Sequence, residues 1–306
     1  MSKMSKASEI ANNVWLGPTP DSLICPPSED HPIFDIFVEA SDLAQSPDAQ
    51  TLKRIGERSV SAPQHIDFPS SGSIMPQTNI QSGIDSLEVM CEWIQSLANP
   101  RVTVESNSED EEVDSDGDIS MIHLNPRPRK FLIHCTDGYT ESTLLALAYY
   151  MYAEQIPAHE AWLRLHCEKK RNFFAYPSDV ALLASLHHRL VPTLSLISRV
   201  RSTEIEPVWI SRIDGSLPSR ILPYMYLGNL AHANNPDLLK AMGIKRLLSI
   251  GEPVNWTKAQ VASWGAKYLL FVDRVQDNGV DPLMRDFERC LEFVGKSYQF
   301  PHPSLS

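Results

Sequence analysis

The chain has 306 residues and a mass of 34.4 kDa, a length that predicts two domains. Hydrophobic residues make up 42% and charged residues 21% of it, which excludes a wholly disordered, collagen-like or coiled-coil chain. The formal net charge of -11 is concentrated in residues 105–118, which include eight acidic and no basic residues. Because the acidity belongs to one tract and no basic patch accompanies it, nucleic acid is not an expected partner.

The sequence carries no sign of a membrane or secretory protein. No apolar run approaches the ~20 residues that a bilayer span needs, and the N-terminus lacks the apolar middle of a secretory signal. The five cysteines are an odd number without CxxC spacing, which argues against a disulfide scaffold or a zinc knuckle. We therefore expect an intracellular protein, cytoplasmic or nuclear, with reduced thiols and no membrane partner.

The first part of the chain alternates β-prone runs with helical periods. After a predicted disordered N-terminus, strands are predicted at 13–17, 33–40, 65–68 and 130–134. Helices are predicted around 87–97, 144–153, 158–171 and 178–190. The acidic tract lies in a predicted solvated loop insertion, 104–120. This alternation predicts an α/β domain over 9–194, with a small mixed sheet packed by helices and a disordered segment 1–8 before it.

The second part repeats this plan after a predicted linker at 195–219. Strands are predicted at 224–228, 245–250 and 267–272, and helices at 236–242, 257–264 and from Asp281 onward. Three blocks match the first part in the same order, namely 15–17 with 226–228, 66–67 with 272–273, and 87–94 with 287–294. They predict a duplicated domain whose second copy, 220–296, is incomplete and is followed by an irregular tail, 297–306.

The segment 131–152 carries the chemistry. It predicts a strand, a tight loop and an apolar helix, with His134 and Cys135 at the end of the strand and Gly138 in the loop. Loop amides and a helix N-terminus both favour negative charge, so the arrangement suits a thiolate and a phosphate group. Cys135 is therefore a candidate nucleophile, although a buried cysteine can equally serve as a small core residue.

At this point the sequence resembles the cysteine-dependent protein-tyrosine and dual-specificity phosphatases, whose signature is HC-x5-R-S/T. His134, Cys135, Gly138 and Ser142 match that signature. The resemblance implies catalytic roles for Cys135 and Ser142 and a phosphate loop made of His134, Thr136, Asp137, Gly138, Tyr139, Thr140 and Glu141. It implies no metal or organic cofactor, because a thiolate mechanism needs neither.

One position departs from the signature. Glu141 stands where the family has the arginine that grips two phosphate oxygens. An anion at this position, with Asp137 nearby, is expected to weaken phosphate binding and to raise the pKa of the thiol. We therefore predict little or no turnover from this loop.

The general acid of the family is an aspartate on a loop before the central helix. In the second copy Asp277 fits that role, although it could equally be a turn residue beside Asn278. In the first copy Ser70 or Ser71 stands at the corresponding position, while Asp67 matches Asp273. The first copy is therefore expected to lack the acid as well as the arginine.

Two other histidine motifs are weaker candidates. The pair 166–167 is predicted to lie within a helix, and Arg171 follows at the wrong spacing for the signature. The pair 187–188 is expected to form the cationic end of a helix and not a metal site.

As a whole the chain looks like a fungal-type tandem dual-specificity phosphatase, truncated before its second HC-x5-R loop. The resemblance implies tandem α/β domains and a phosphoprotein substrate or binding partner. The chain itself is expected to be silent, and the alternative is a pseudophosphatase scaffold. A lipid or sugar phosphatase remains open as a third interpretation, but no basic cluster flanks the loop to support it.

Overall fold

The computed structural model describes residues 6–20, 32–58, 62–74, 76–100, 127–190, 207–273, 275 and 284–295. The chain divides into two compact units, Met1–Glu204 and Ile205–Ser306. The predicted acidic loop 104–120 and the predicted tail 297–306 lie wholly outside the described residues.

The first unit contains five strands and five helices within its described residues. The strands are β1 (Ser8–Ala11), β2 (Val14–Pro18), β3 (Ile36–Ser41), β4 (Gln64–Pro69) and β5 (Phe131–Cys135). The helices are α1 (Ala49–Glu57), α2 (Pro76–Ala98), α3 (Thr143–Glu154), α4 (Ala158–Cys167) and α5 (Pro177–Leu190).

The strands form one mixed sheet in the order β1-β2-β5-β3-β4. β1 is antiparallel to β2, whereas β2, β5, β3 and β4 run parallel to one another. β5 lies in the centre and all five of its residues are buried, which explains its continuous apolar sequence. The predicted α/β class, with a sheet packed by helices, is confirmed.

Helix α3 is the central helix of the first unit. Its residues from Thr143 to Met151 are all buried, and it packs against α2, α4 and α5. This burial confirms that the apolar run at 144–153 forms a helix inside the domain. Because α3 follows β5 directly, the loop between them is held at both ends by buried elements.

Some boundaries differ from the sequence-based predictions. Ser8, which was predicted to be disordered, begins β1 and pairs with Leu16. Helix α1 was not predicted, because it is short and buries only Leu52 and Ile55. Helix α4 ends at Cys167 and not at 171, since Lys170 has a positive φ of 60° that ends the helical path.

Within its described residues, the second unit contains two separate pairs of strands. Its strands are β6 (Ser219–Leu222), β7 (Met225–Leu227), β8 (Leu247–Gly251) and β9 (Leu269–Asp273). Its helices are α6 (Leu230–Ala233), α7 (Pro236–Ala241), α8 (Lys258–Trp264) and α9 (Met284–Gly295), with short 3-10 turns at Ile210–Arg212 and Ala266–Tyr268. β6 and β7 are antiparallel, and β8 and β9 are parallel.

The C-terminal part of the predicted linker packs within the second unit. Trp209 and Ile210 are buried, and the side chain of Asn235 donates a hydrogen bond of 3.0 Å to the carbonyl of Trp209. The segment 207–219 is therefore ordered, in contrast to the linker expected there. Among the helices that the structure describes, none is long and apolar enough to cross a membrane.

Candidate functional site

The candidate site is the loop between β5 and α3. Residues 14–18 and 36–39 form parallel ladders with β5 and fix its path up to Cys135. Gly138 has a φ of 76°, and a Cβ atom there would lie 2.5 Å from the backbone nitrogen of Pro18. Only glycine can therefore occupy this position without displacing the end of β2.

The carboxylate of Asp137 folds back into its own loop. Its Oδ1 atom accepts hydrogen bonds of 2.8 Å from the backbone N–H groups of Tyr139 and Thr140. Its Oδ2 atom accepts a hydrogen bond of 2.5 Å from the Thr140 hydroxyl. Backbone amides that an external anion would need are thus already occupied by an anion of the chain.

These contacts also set the ionisation state of Asp137. Burial opposes ionisation of the carboxyl group, but the hydrogen bonds from Thr140 and Tyr139 outweigh it and lower the pKa of Asp137 below its usual value. Asp137 is therefore a stable carboxylate at neutral pH. The loop holds a fixed negative charge beside the candidate nucleophile.

Cys135 is buried and its thiol is held by neighbouring polar groups. The Sγ atom lies 3.3 Å from Asp137 Oδ1, to which it donates, and 3.2 Å from the hydroxyl oxygen of Ser142. Burial raises the pKa of the Cys135 thiol; hydrogen bonding to Ser142 lowers it, while Glu141 and Asp137 raise it further. The net effect is a raised pKa, so the thiol is protonated and weakly nucleophilic at neutral pH.

Glu141 adds a second carboxylate to the same loop. One of its oxygens, Oε2, is buried and has no hydrogen-bond partner among the described residues. The thiol of Cys135 and the carboxylates of Asp137 and Glu141 offer ligand atoms that lie within 4.8 Å of one another. This is a donor set that a cation could use, although Asp137 and the protonated thiol are already engaged in hydrogen bonds within the loop.

His134 does not supply the missing positive charge. Burial and the nearby charge of His65 lower the pKa of His134 to about 4, with Asp67 acting in the opposite direction. Its Nδ1 atom lies 3.2 Å from the hydroxyl of Thr19, and its ring packs edge-on against Phe37. His134 is therefore neutral near pH 7 and is a buried structural residue near the end of β5.

The remaining residues of the predicted loop connect Cys135 to the start of α3. Ser142 is fully buried and directly precedes α3, whereas Thr136 at the other end of the loop is exposed. Thr143 donates its hydroxyl to the carbonyl of Tyr139 and accepts from the N–H of Phe174. The loop is thus fastened to the segment before α5 as well as to β5.

The segment after β4, where the sequence places Ser70 and Ser71 at the acid position, packs on the start of α3. Ser71 donates its N–H to the Glu141 carbonyl at 2.8 Å, and its hydroxyl accepts from the N–H of Leu144 at 2.8 Å. The Ser70 hydroxyl donates to Asp42 at 2.5 Å. Both serines are buried, and each serves as a structural link in this arrangement.

Asp179 ties this segment to α5 and was not singled out from the sequence as a site residue. Its Oδ1 atom accepts from the N–H of Gly72 at 2.9 Å, and its Oδ2 atom accepts from the N–H of Tyr176 at 3.0 Å. Burial raises the pKa of Asp179, and the two backbone hydrogen bonds act against this rise. The Asp at the third position of the helix was visible in the sequence as helix-start chemistry, but its partner Gly72 was not.

Arg171 is the second residue whose position the sequence did not reveal. It is fully buried, and its guanidinium donates to the backbone carbonyls of Leu16 and Lys6. Burial lowers the pKa of Arg171 to about 10, and the ionised form of Cys135 would act in the opposite direction. Arg171 follows α4 and does not lie within a helix as predicted, and its hydrogen bonds connect this segment to β2 and to the residues before β1.

The predicted acid of the second unit, Asp277, lies outside the described residues. The matched positions around it are described. Residues 226–228 begin in β7, and Asp273 ends β9, just as Asp67 lies near the end of β4. The structure therefore brings together the loop residues of the first unit but leaves the role of Asp277 an expectation.

Comparisons with known proteins relate the chain to dual-specificity phosphatases. No protein-family model matches the chain. It is 32% identical over 222 residues to dual specificity protein phosphatase PPS1 of Saccharomyces cerevisiae, which covers 63% of this chain and 24% of that protein. It is 29% identical over 96 residues to dual specificity protein phosphatase 1-A of Xenopus laevis, covering 26% of this chain and 25% of that one. The chain thus spans about a quarter of the length of these curated relatives.

Solved structures of low sequence identity also match. Tk-PTP in its active form matches 60% of this chain and 97% of its own, at 18% identity and a TM-score of 0.34. The human tyrosine phosphatase-like serine/threonine/tyrosine-interacting protein matches 62% of this chain and 99% of its own, at 15% identity and a TM-score of 0.37.

Proposed function

We propose that the first unit is a pseudophosphatase domain of the dual-specificity type, which keeps the fold and the loop but does not hydrolyse phosphate esters. The observation that carries this proposal is the capture of the Tyr139 and Thr140 amides by the Asp137 carboxylate. A phosphate group would have to displace a carboxylate that the chain itself supplies. The first unit would then act by binding a partner, for which a phosphoprotein or another domain of the protein is the natural class.

Three requirements of phosphate-ester hydrolysis are not met in the first unit. The nucleophile must be a thiolate, yet the pKa of Cys135 is raised. The negative charge of the phosphate must be neutralised, yet Asp137 and Glu141 place carboxylates beside it. The leaving oxygen must receive a proton from a general acid, yet the acid position holds a buried serine hydroxyl, which cannot donate a proton at a useful rate.

We further propose that the protein follows a tandem arrangement in which the second unit is the first half of another such domain. Repeated sequence blocks support this arrangement, as does the pairing of β6 with β7 and of β8 with β9 in the orientations of β1 with β2 and of β3 with β4. Dephosphorylation of phosphotyrosine or phosphoserine/threonine in a protein substrate would then depend on a second nucleophile loop, with Asp277 as its acid. The yeast relative is a dual specificity protein phosphatase, which supports this activity for the whole protein.

The experiment that tests the proposed inactivity of the Cys135 loop replaces its two carboxylates. Glu141→Arg supplies the missing cation, and Asp137→Ser frees the amides, so the double variant should hydrolyse a phosphotyrosine analogue at least about 100-fold faster than the unmodified chain. Glu141→Arg alone should gain much less, because Asp137 still occupies the amides.

The control is Cys135→Ser in the double variant, which should abolish the new activity. Lys53→Ala in the same background removes an exposed side chain of α1, outside the loop, and should leave the gain intact. If the unmodified chain already turns over the analogue and loses this activity with Cys135→Ser, the pseudophosphatase proposal is wrong.

A further inference from the structure

The loop between β5 and α3 brings three groups of metal-binding chemistry together. The thiol of Cys135 and the carboxylates of Asp137 and Glu141 offer ligand atoms that all lie within 4.8 Å of one another. Among the described residues, no other group of three or more cysteine, histidine or acidic side chains comes together in this way. Two carboxylates beside a thiol repel a phosphate group but provide the donors that a cation needs.

One of these donors is buried without a partner. The Oε2 atom of Glu141 is buried, and no residue in the described part of the chain donates a hydrogen bond to it. A carboxylate oxygen in this situation has lost its water without gaining a replacement, which is strongly unfavourable for a charged group. The unpartnered oxygen therefore indicates a positively charged ligand for this loop.

The other two donors can bind an ion without breaking the loop. Asp137 accepts the two backbone hydrogen bonds at Oδ1, and its Oδ2 atom accepts one hydrogen bond from the Thr140 hydroxyl, so the carboxylate retains a free lone pair. The Sγ atom of Cys135 lies 3.2 Å from the Ser142 hydroxyl. When an ion binds, the Sγ–H proton passes to solvent and an Sγ–metal bond forms. The Ser142 hydroxyl can then donate to the thiolate and orient it.

The position of the three groups allows an ion to enter and to be coordinated. Cys135 is 1% exposed, whereas Asp137 and Glu141 are half-buried and can be reached from solvent. A tetrahedral ion with bonds of about 2.0 to 2.3 Å holds its ligand atoms about 3.3 to 3.8 Å apart. A closure of at most about 1.5 Å by the two carboxylates would therefore bring all three groups into coordination distance of one ion.

We propose that the loop binds one divalent cation of the thiol-binding class, such as Zn²⁺, through the Cys135 thiolate and the carboxylates of Asp137 and Glu141. The sulfur ligand selects this class over Mg²⁺ and Ca²⁺, which prefer ligands made of oxygen alone. Three protein ligands leave the fourth tetrahedral position to a water molecule. The ion supplies the positive charge that the buried Glu141 oxygen lacks and offsets the repulsion between the two carboxylates.

This inference goes beyond the function proposed for the first unit, although both depend on Asp137 and Glu141. The two are measured separately. Hydrolysis of the phosphotyrosine analogue would overturn the pseudophosphatase proposal without bearing on metal binding. A chain that binds no ion would leave the expected inactivity of the loop unaffected.

Titration of the full, untagged chain with Co²⁺, in the presence of a phosphine reductant, tests the site. Co²⁺ accepts the same ligands as Zn²⁺, and a thiolate bound to it gives a charge-transfer absorption band in the near ultraviolet. We expect one Co²⁺ ion per chain and a band of this kind. Equimolar Zn²⁺ should remove the band, whereas an excess of Mg²⁺ should leave it.

Two variants assign the band and the affinity to the loop. Cys135→Ser should abolish the band, because it removes the sulfur ligand. Glu141→Gln retains the shape of the side chain but removes its charge, and it should weaken Zn²⁺ binding at least about tenfold. The matched control is Cys167→Ser, which removes another thiol of the first unit, at the end of α4, and should leave the band and the affinity unchanged.

The proposal is wrong if the unmodified chain gives no charge-transfer band, if Cys135→Ser retains the band, or if Mg²⁺ displaces Co²⁺. It is equally wrong if Glu141→Gln binds Zn²⁺ as tightly as the unmodified chain does, because the ion would then be held by other residues. Glu141→Gln changes a half-buried side chain and keeps the thiol, so it tests the site even if Cys135→Ser does not fold.

Discussion

The carboxylate of Asp137 takes the position in its loop that the charge distribution of the backbone offers to an anion. Loop amides and the start of α3 both favour negative charge, and Asp137 satisfies them from within the chain. Glu141 then brings a second carboxylate to the same place, close to the thiol. The two carboxylates act together, because Asp137 occupies the anion site and Glu141 repels any anion that would compete for it.

Part of this arrangement could be predicted from the sequence. The absence of arginine at position 141 was evident, and so was the proximity of Asp137 to the thiol. An aspartate followed three residues later by threonine is also a known turn pattern, so the Asp137–Thr140 contact was within reach. The burial of Arg171 was not, because its partners Lys6 and Leu16 are distant in sequence.

The low pKa of His134 makes the stability of the first unit depend on pH. Its pKa of about 4 lies below the ~6.5 of an unfolded histidine, so the unfolded chain binds more protons between these values. The stabilisation is complete above about pH 6.5 and is lost as the pH falls towards 4. From pH 7 to pH 5 we expect the first unit of the unmodified chain to lose about 2 kcal/mol more than His134→Gln loses.

Amide exchange of residues 131–135, corrected for its intrinsic pH dependence, measures this difference within the first unit. Comparison with His134→Gln removes the contributions of Asp137 and Asp179, whose shifts have the opposite sense to each other. Equal losses in both proteins would show that His134 is protonated in the folded state.

At the scale of elements, the strands were the most predictable part of the fold. Those at 13–17, 65–68 and 130–134 lie within a few residues of β2, β4 and β5, because their apolar side chains are buried on the sheet. Helix α1 was not predicted, because its two buried residues, Leu52 and Ile55, are too few to give a recognisable helical period. The end of α4 escaped because the helix stops at a positive φ that no glycine or proline marked.

Leu16 and Leu227 match in the sequence repeat but differ in burial, so the same substitution at both positions compares a buried site with an exposed one. We expect Leu16→Ala to lower the free energy of unfolding of the first unit by about 2 to 5 kcal/mol, since it empties space inside a packed core. Leu227→Ala removes the same atoms from an exposed site and should cost less than about 1 kcal/mol in the second unit.

Urea-dependent amide exchange resolves the two units and measures both changes in the full chain. Because both variants replace leucine with alanine, a difference between their costs in unfolding free energy cannot come from side-chain chemistry. A cost for Leu227→Ala as large as that for Leu16→Ala would mean that the β7 face is already covered.

At the scale of the whole molecule, the proposed duplication relates the two units to each other. The first unit has a complete sheet but a loop whose charges oppose phosphate chemistry. Among the described residues of the second unit, the strands form two separate pairs, β6 with β7 and β8 with β9. Sequence repeats suggest a duplication, since they preserve the order of blocks, but they could not show which apolar positions of each unit are exposed.

The central claim is that the loop at Cys135 does not hydrolyse phosphate esters. The most direct measurement is the hydrolysis rate of a phosphotyrosine analogue by the full chain, compared with the rate of the Cys135→Ser variant. We expect the two rates to be equal and no higher than that of the buffer, because the thiol is protonated and the loop amides hold Asp137. A rate above the buffer value that disappears with Cys135→Ser would contradict the account.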